Sequence, residues 1–353
     1  MDFIKTHPRF KLNGNNFQTK HELLEYADQF SSSVKAFLED WFNDDAFVIV
    51  QTSGSTGKPK PIKLQKDHMI NSAKATGEFF SLKENTTALL CMSSEYIAGK
   101  MMLVRAMVLG WNIDVVEPVS NPLKGVDKNY DFSAMVPMQL QNSLKELHKV
   151  KSLIVGGGVV SETLKQQISD VQTKVYATYG MTETITHIAV KKLNHFNTVP
   201  AFYKILPNVD ISVDSRGCLI INASKVAKDL VVTNDVVQLV SENEFEWLGR
   251  YDNVINSGGI KLHPEKIEHK LSKVIQNRFF VAGITDELLG EKLVLIIEDK
   301  EGEINVEKLL NVISKNKDVT KYEIPKEVFF VEEFIETETK KIQRSKTLDL
   351  IIK

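Results

Sequence analysis

Short apolar runs alternate with longer segments of helical periodicity through the first half of the chain. Ala46–Gln51, Ala88–Met92, Ile113–Val116, Ser152–Val155 and Lys174–Ala177 read as strands. Asp67–Phe80, Lys100–Leu109, Val136–His148 and Ser161–Ile168 read as helices between them. That alternation predicts a mostly parallel sheet covered by helices. From Asp210 to Leu248 the pattern changes to short strands with turn residues such as Ser215-Arg216-Gly217, as in a small antiparallel unit. It changes again after Gly249-Arg250-Tyr251-Asp252. A helix (Pro264–Leu271), strands (Phe279–Gly283, Lys292–Ile297), a helix (Val306–Ser314) and a strand (Glu327–Val331) predict a compact α+β domain. The expected fold class is therefore α/β: a large N-terminal domain, residues 1–250, of helix-covered sheets with a small antiparallel subdomain, then a small C-terminal α+β domain, residues 251–353. No internal repeat or low-complexity tract interrupts the pattern.

A length of 353 residues is consistent with two such domains, each able to bury a core. With 42% hydrophobic and 25% charged residues the chain has the balance of a soluble globular protein. A formal net charge of −2 implies no basic surface, so nucleic acid is not an expected partner. The longest apolar runs, such as Leu293–Ile297, are far too short to span a bilayer. Met1-Asp2-Phe3-Ile4-Lys5 lacks the apolar core of a signal peptide. Cys91 and Cys218 show neither metal nor redox spacing and read as reduced core thiols. The expectation is a cytoplasmic protein.

The densest chemistry lies at residues 52–60, Thr-Ser-Gly-Ser-Thr-Gly-Lys-Pro-Lys, directly after an apolar run. Glycines allow tight turns and close approach to a ligand, while hydroxyls and ammonium groups bind phosphate oxygens. Thr52, Ser53, Gly54, Ser55, Thr56, Gly57, Lys58 and Lys60 thus form a candidate polyphosphate loop, best suited to ATP. It is not a Walker cradle: Pro59 follows Gly57-Lys58, and Thr52 stands where that pattern needs its first glycine. Other segments have a similar character. Gly156-Gly157-Gly158 closes a strand, where a flat base could lie against bare backbone. Tyr179-Gly180-Met181-Thr182-Glu183 offers an aromatic face, a hydroxyl for phosphate and a carboxylate for Mg²⁺. Asp235 could accept bonds from ribose hydroxyls. Leu248–Asp252 and Ser257-Gly258-Gly259-Ile260-Lys261 flank the domain boundary, and Thr339–Arg344 is a basic run. Taken singly, each also reads as an ordinary turn or a solvated face.

Taken together and in this order, these segments resemble the adenylate-forming superfamily of acyl-CoA synthetases, luciferases and peptide-synthetase adenylation domains. The resemblance runs from about residue 47 to the end. It implies that residues 52–60 and Thr182 bind phosphate, that Glu183 holds Mg²⁺, and that Gly156, Gly157, Tyr179 and Gly180 frame the adenine. It further implies that Asp235 and Arg250 bind ribose, that Asp252 is the interdomain hinge, and that Gly258-Gly259 approaches a coenzyme A channel. Lys341, followed by Ile-x-Arg, matches the catalytic lysine. Asn234 and Lys340 depart from the family pattern, standing where glycine is usual. The phosphate loop also begins far earlier than in full-length relatives, which would leave a surface for a second subunit, hence a homodimer, to cover. Such short versions resemble the o-succinylbenzoate–CoA ligases of menaquinone synthesis, and Phe10–Gly14 and Tyr96–Lys100 fit that subgroup.

The implied activity is ATP-dependent ligation of o-succinylbenzoate to coenzyme A through an acyl-adenylate. Its second carboxylate would need a cation or strong donor, for which His187, Arg105 and Lys100 are the candidates. Three alternatives share the nucleotide motifs: a CoA ligase for another aryl or aliphatic acid, an adenylation enzyme loading a carrier protein, and a noncatalytic nucleotide-binding relative.

Overall fold

The computed structural model describes residues 6–51, 61–196, 200–300, 302–337 and 342–351. Strand β1 (Lys11–Leu12) leads into helices α1 (Lys20–Asp28) and α2 (Ser32–Trp41). The sequence pattern did not predict these helices, although each opens with a hydroxyl cap. The side chain of Thr19 accepts from the Glu22 amide and that of Ser31 from the Val34 amide, satisfying amides that the first turn leaves unpaired. Strands β2 (Phe47–Gln51) and β3 (Pro61–Gln65) come next as an antiparallel pair flanking residues 52–60.

The chain continues through α3 (Lys66–Phe80), β4 (Thr87–Leu90), α4 (Ile97–Leu109), β5 (Asn112–Val115), β6 (Tyr130–Met135), α5 (Pro137–Asn142), β7 (Val150–Val155), α6 (Glu162–Gln167) and β8 (Lys174–Gly180). The strands assemble in parallel in the order β1-β5-β4-β6-β7-β8. Alternate side chains divide between two cores. Ala88, Leu90, Phe132, Ala134 and Ile154 pack on one face with Met69 of α3 and Met101 of α4. Leu89, Leu153 and Val155 face the opposite way, onto Leu140, Leu147 and Leu164. Both faces are thus covered by helices, as a parallel sheet requires.

Two expectations are corrected here. The run at 46–51 is not part of the parallel sheet. Val48 and Val50 are buried while Ile49 is 52% exposed, the alternation of a ribbon with one wet face. The helix expected over Val136–His148 breaks at Ser143, where α5 gives way to a 3₁₀ segment, Leu144–Lys149. Strand β6 is not evident in the sequence because Asp131 and Ser133 interrupt its apolar pattern. Both are satisfied across the ladder: Asp131 accepts from the Thr87 amide and hydroxyl at 2.9 and 2.7 Å, and Ser133 Oγ donates to Leu89 O at 2.9 Å.

Strands β9 (His187–Lys192), β10 (Tyr203–Ile205), β11 (Asp210–Val213), β12 (Cys218–Asn222), β13 (Val231–Ser241) and β14 (Glu244–Arg250) then extend the same sheet from β8. Their order is β9-β10-β14-β13-β12-β11, antiparallel at every step. The antiparallel strands expected from Asp210 are therefore continuous with the parallel half, and the change of direction falls at the β8–β9 reversal.

The remaining elements are β15 (Ile255–Ser257), β16 (Ile260–Leu262), α7 (Pro264–Leu271), β17 (Phe279–Asp286), β18 (Gly290–Glu298), α8 (Val306–Lys315), β19 (Glu327–Val331) and α9 (Arg344–Leu348). They build a second sheet in the order β16-β15-β18-β17, with β19 parallel to β18. This sheet has its own two cores, one around Val281, Leu295 and Ile267 and the other around Phe280, Val294 and Phe334. His269 contacts Glu162 at 3.1 Å and Lys266 contacts Glu246 at 3.4 Å, linking α7 to the first sheet's elements. Both cysteines are free and buried, and burial pushes the Cys91 thiol up to about 12, as befits an unreactive core thiol. Among the described residues no helix is long and apolar enough to cross a membrane.

Helix α4 meets the chain before it without room for a side chain at Gly99. A Cβ there would lie 2.7 Å from the Ser93 carbonyl carbon and closer still to its oxygen. Gly99→Ala is expected to cost about 1–3 kcal/mol of stability. Urea unfolding should show a lower midpoint at an unchanged slope, and a wild-type midpoint would contradict this packing.

Candidate active site

The ends of β8 and β14 and the middle of β13 bring four of the expected site residues together; Asp235 does not close its strand, which runs on to Ser241. Tyr179 Oη donates to Asp235 Oδ2 at 2.8 Å, and Trp247 Nε1 donates to Oδ1 at 3.2 Å. The strand register sets Asp235 opposite Arg250, whose Nη1 lies 3.9 Å from Oδ1. Arg250 Nη2 also reaches Asp252 Oδ2 at 3.3 Å. Asn234, the departure from glycine, donates to the same Asp252 oxygen at 3.3 Å and accepts from Arg216 Nη1 at 2.9 Å. Asp235 is thus nearly buried, with both oxygens fixed and each retaining capacity for a further donor. Burial, reinforced by the Asp235 charge, pushes the Tyr179 phenol far above its ordinary range, so it stays a neutral donor. The Tyr179 ring is half-buried, edge-on to Phe245 at 5.2 Å and beside Tyr203 at 5.8 Å.

A cleft of about 660 Å³ opens beside this group, at the carboxyl ends of β7 and β8. Open α/β sheets characteristically receive ligands at that edge. Gly156, Gly157, Gly180 and Thr182 line it. A Cβ on Gly180 would lie 2.5 Å from His187 Cα and nearer still to Thr186 O, so the β8–β9 approach admits only glycine. Thr182 and Glu183 belong to a 3₁₀ turn, Thr182–Thr184, with the Glu183 side chain exposed.

The residue after that turn departs from ordinary backbone. Ile185 has φ 68° and ψ −68°, and the Thr186 amide bonds to Thr184 O at 2.8 Å. This is a γ-turn of the strained, positive-φ hand. A buried β-branched residue held this way costs on the order of 1–3 kcal/mol. Its neighbours hold it in place. Ile185 N donates to Thr182 O at 3.0 Å, and the Thr184 hydroxyl lies 2.9 Å from Thr186 O and 3.1 Å from Met181 O.

Across the cleft wall lies Arg105, only 2% exposed. Its Nε donates to Thr76 Oγ1 and its Nη2 to Thr186 Oγ1, both at 3.3 Å, while Nη1 lies 3.7 Å from Met102 Sδ. Among the described residues no carboxylate stands within ion-pair distance of it. Burial lowers its pKa to about 10, which leaves it charged at neutral pH. His187 also lines the cleft, with Nε2 at a long 3.5 Å from Thr76 Oγ1. Behind it His187 borders a second hollow of about 210 Å³, shared with Ser72, Lys74 and Lys225. The structure does not bring Lys100 to the cleft. It is buried beneath α2, with Nζ 5.0 Å over the Phe37 ring.

Gly258 and Gly259, with φ 57° and 81°, form the exposed two-residue turn between β15 and β16, where the backbone needs residues tolerant of positive φ. Asp252 is exposed in a short 3₁₀ turn, Tyr251–Asn253. Thr52, Ser53, Gly54, Ser55, Thr56, Gly57, Lys58 and Lys60 lie outside the described residues, as do Lys340 and Lys341. The segment after Lys341 is firmly seated. Arg344 Nη2 donates to Glu268 Oε2 at 2.8 Å and Nη1 to Val281 O at 3.2 Å. Sequence reasoning missed Trp247, Thr76, Thr186 and Ile185, because register and a backbone twist recruit them rather than a motif.

The model of the AMP-binding enzyme family matches residues 11–220. A 2-succinylbenzoate–CoA ligase of Bacillus cereus (strain Q1) is 25% identical over 353 aligned residues, covering 90% of this chain and 73% of the relative. Among solved structures, an acyl-CoA synthetase (AMP-forming)/AMP-acid ligase II-like protein from Dyadobacter fermentans is 41% identical, with a TM-score of 0.61, covering 91% of this chain and 94% of that one. An o-succinylbenzoate coenzyme A synthetase from Bacillus subtilis, in complex with ATP and magnesium, shares the fold at 18% identity and a TM-score of 0.74, covering 96% and 83%. The chain belongs to the AMP-binding enzyme family and is an adenylate-forming enzyme of mixed α/β fold.

Proposed function

We propose that this protein is an AMP-forming acid–thiol ligase that joins o-succinylbenzoate, an aromatic acid with a second carboxylate, to coenzyme A. The observation that carries the substrate choice is Arg105, a dry guanidinium beside the cleft whose described neighbours are hydroxyls and a thioether. A buried charge without a counter-ion is expensive, and an anionic ligand group would offset that cost. The Bacillus relatives named for succinylbenzoate lend support.

In the first step a carboxylate oxygen bonds to the α-phosphorus of ATP as the bond to pyrophosphate breaks. In the second, the thiol sulfur bonds to the acyl carbon as AMP leaves. Asp235 and Arg250 would hold the ribose, while Gly156 and Gly157 leave space for the adenine and Thr182 donates to phosphate. The distal carboxylate would sit between Arg105 and the Thr186 hydroxyl. Lys341 would approach the carboxylate and the α-phosphate together, where two anions must meet. Mg²⁺ binds through one or two carboxylates together with substrate phosphates, and the exposed Glu183 would be that carboxylate. Bound there, Mg²⁺ would neutralise phosphate charge. Residues 251–353 would rotate about Asp252 between the two steps, bringing Gly258-Gly259 towards the coenzyme A path. The site of action would be the cytoplasm.

Pyrophosphate release should be strongest with o-succinylbenzoate among a panel of acids, and turnover to AMP should need coenzyme A. Arg105→Met should lower kcat/KM for the diacid about 10²–10³-fold and change that for a matched monocarboxylate by less than about threefold. The same replacement should raise the melting temperature of the ligand-free protein, since an apolar side chain replaces a buried charge that has no ion-pair partner among the described residues. Equal losses for both acids would refute the anion role. Lys341→Ala should abolish adenylation and spare thioester formation from supplied acyl-adenylate, with Lys340→Ala as the control; stopped-flow traces losing both steps equally would reassign the lysine. Burial, reinforced by the Arg105 charge, holds the His187 pKa well below its ordinary value. The unfolded chain then takes up a proton below about pH 6.5 that the folded chain refuses, so stability should fall as pH drops through that value. His187→Gln should flatten this limb of the pH–stability curve, and an unchanged limb would assign it to other groups.

A further inference from the structure

We infer that Ile185 is a positioning residue, whose strained γ-turn sets the Thr186 hydroxyl against Arg105 and so shapes the subsite for a substrate's second anionic group. The inference rests on the proposed acid–thiol ligase reading and adds to it a determinant of substrate choice. Six residues, 181–186, must carry the chain from β8 back into β9 while presenting both Thr182 and Thr186 to one cavity. An extended or helical Ile185 would let the chain leave in its relaxed direction and swing Thr186 off the guanidinium. At φ 68° the chain doubles back within three residues instead. Thr186 Oγ1 then lies 3.3 Å from Arg105 Nη2 and 3.2 Å from Ser72 Oγ, and His187 begins β9 opposite Gly180. The side chain is 1% exposed and packs into the main core, which grips the turn from behind. Fold alone does not require isoleucine here, since glycine takes this conformation without strain.

The test compares Ile185→Gly, Thr186→Ala and the double variant, using steady-state adenylation of a diacid and a matched monoacid and hydrogen exchange over residues 181–187. Ile185→Gly should raise KM for the diacid about tenfold, with kcat within about threefold and the monoacid little affected. Its effect should vanish in the Thr186→Ala background, because both changes act through one contact. Ile185→Val should retain wild-type KM. Full additivity, or equal loss with both acids, overturns the proposal. If the unaltered enzyme shows no preference for the diacid, the substrate reading fails by itself, and exchange decides the positioning role. Faster exchange of the Thr186 amide in Ile185→Gly, confined to 181–187, supports it, and unchanged exchange overturns it. Should Ile185→Gly fail to fold, Ile185→Ala carries the same comparison.

Discussion

A guanidinium kept dry among hydroxyls is the constraint around which this wall of the cleft is arranged. Arg105 cannot shed its proton at neutral pH, and its neighbours can only solvate it weakly. The described groups around it are those that can coexist with a positive charge: Thr76 and Thr186 turn oxygen lone pairs towards it, Met102 offers sulfur, and His187 stays neutral. Such a shell is a poor trade for stability alone. It is a sensible one for a cavity that is to recognise an anion, since the desolvation has already been met when the ligand arrives.

The group around Asp235 obeys a different logic. One sheet runs parallel as far as β8 and antiparallel from β9, and the join lies where the cleft opens. The parallel half supplies strand ends and glycine turns, which leave backbone accessible. The antiparallel half supplies register, so that Asp235 and Arg250 face each other across a ladder and Tyr179 closes over Asp235 from β8. Rigid strands thus carry the polar groups, and their orientation does not depend on loop conformation.

Much of this was legible in the chain. The strand–helix alternation announced the parallel half, and the motifs singled out Tyr179, Asp235 and Arg250, which the structure brings together, and Gly156, which lines the cleft beside them. Other parts could not be read. Strand β6 carries a half-buried Asp131 and a buried Ser133, whose place in a strand makes sense only once their partners across the ladder are placed. The ribbon of β2 and β3 looked like a sheet strand because local apolarity does not reveal whether one face or two will be covered. Lys100 and Arg105 looked equivalent on the same helix, yet α4 turns one beneath Phe37 and the other to the cleft. The twist at Ile185 left no trace, since isoleucine is a residue that propensity would never assign to positive φ.

One imidazole, that of His187, lines both the 660 Å³ cleft and the 210 Å³ hollow. Its described hydrogen bond is one long contact to Thr76, whose hydroxyl keeps a 3.0 Å bond to Ser72 O without it. The lining that the two spaces share is therefore a side chain, carried on a backbone that β8 holds closely at Gly180. In evolutionary terms this shared stretch of lining is one that a single codon can reshape, leaving Tyr179, Asp235 and Arg250 on the neighbouring strands untouched.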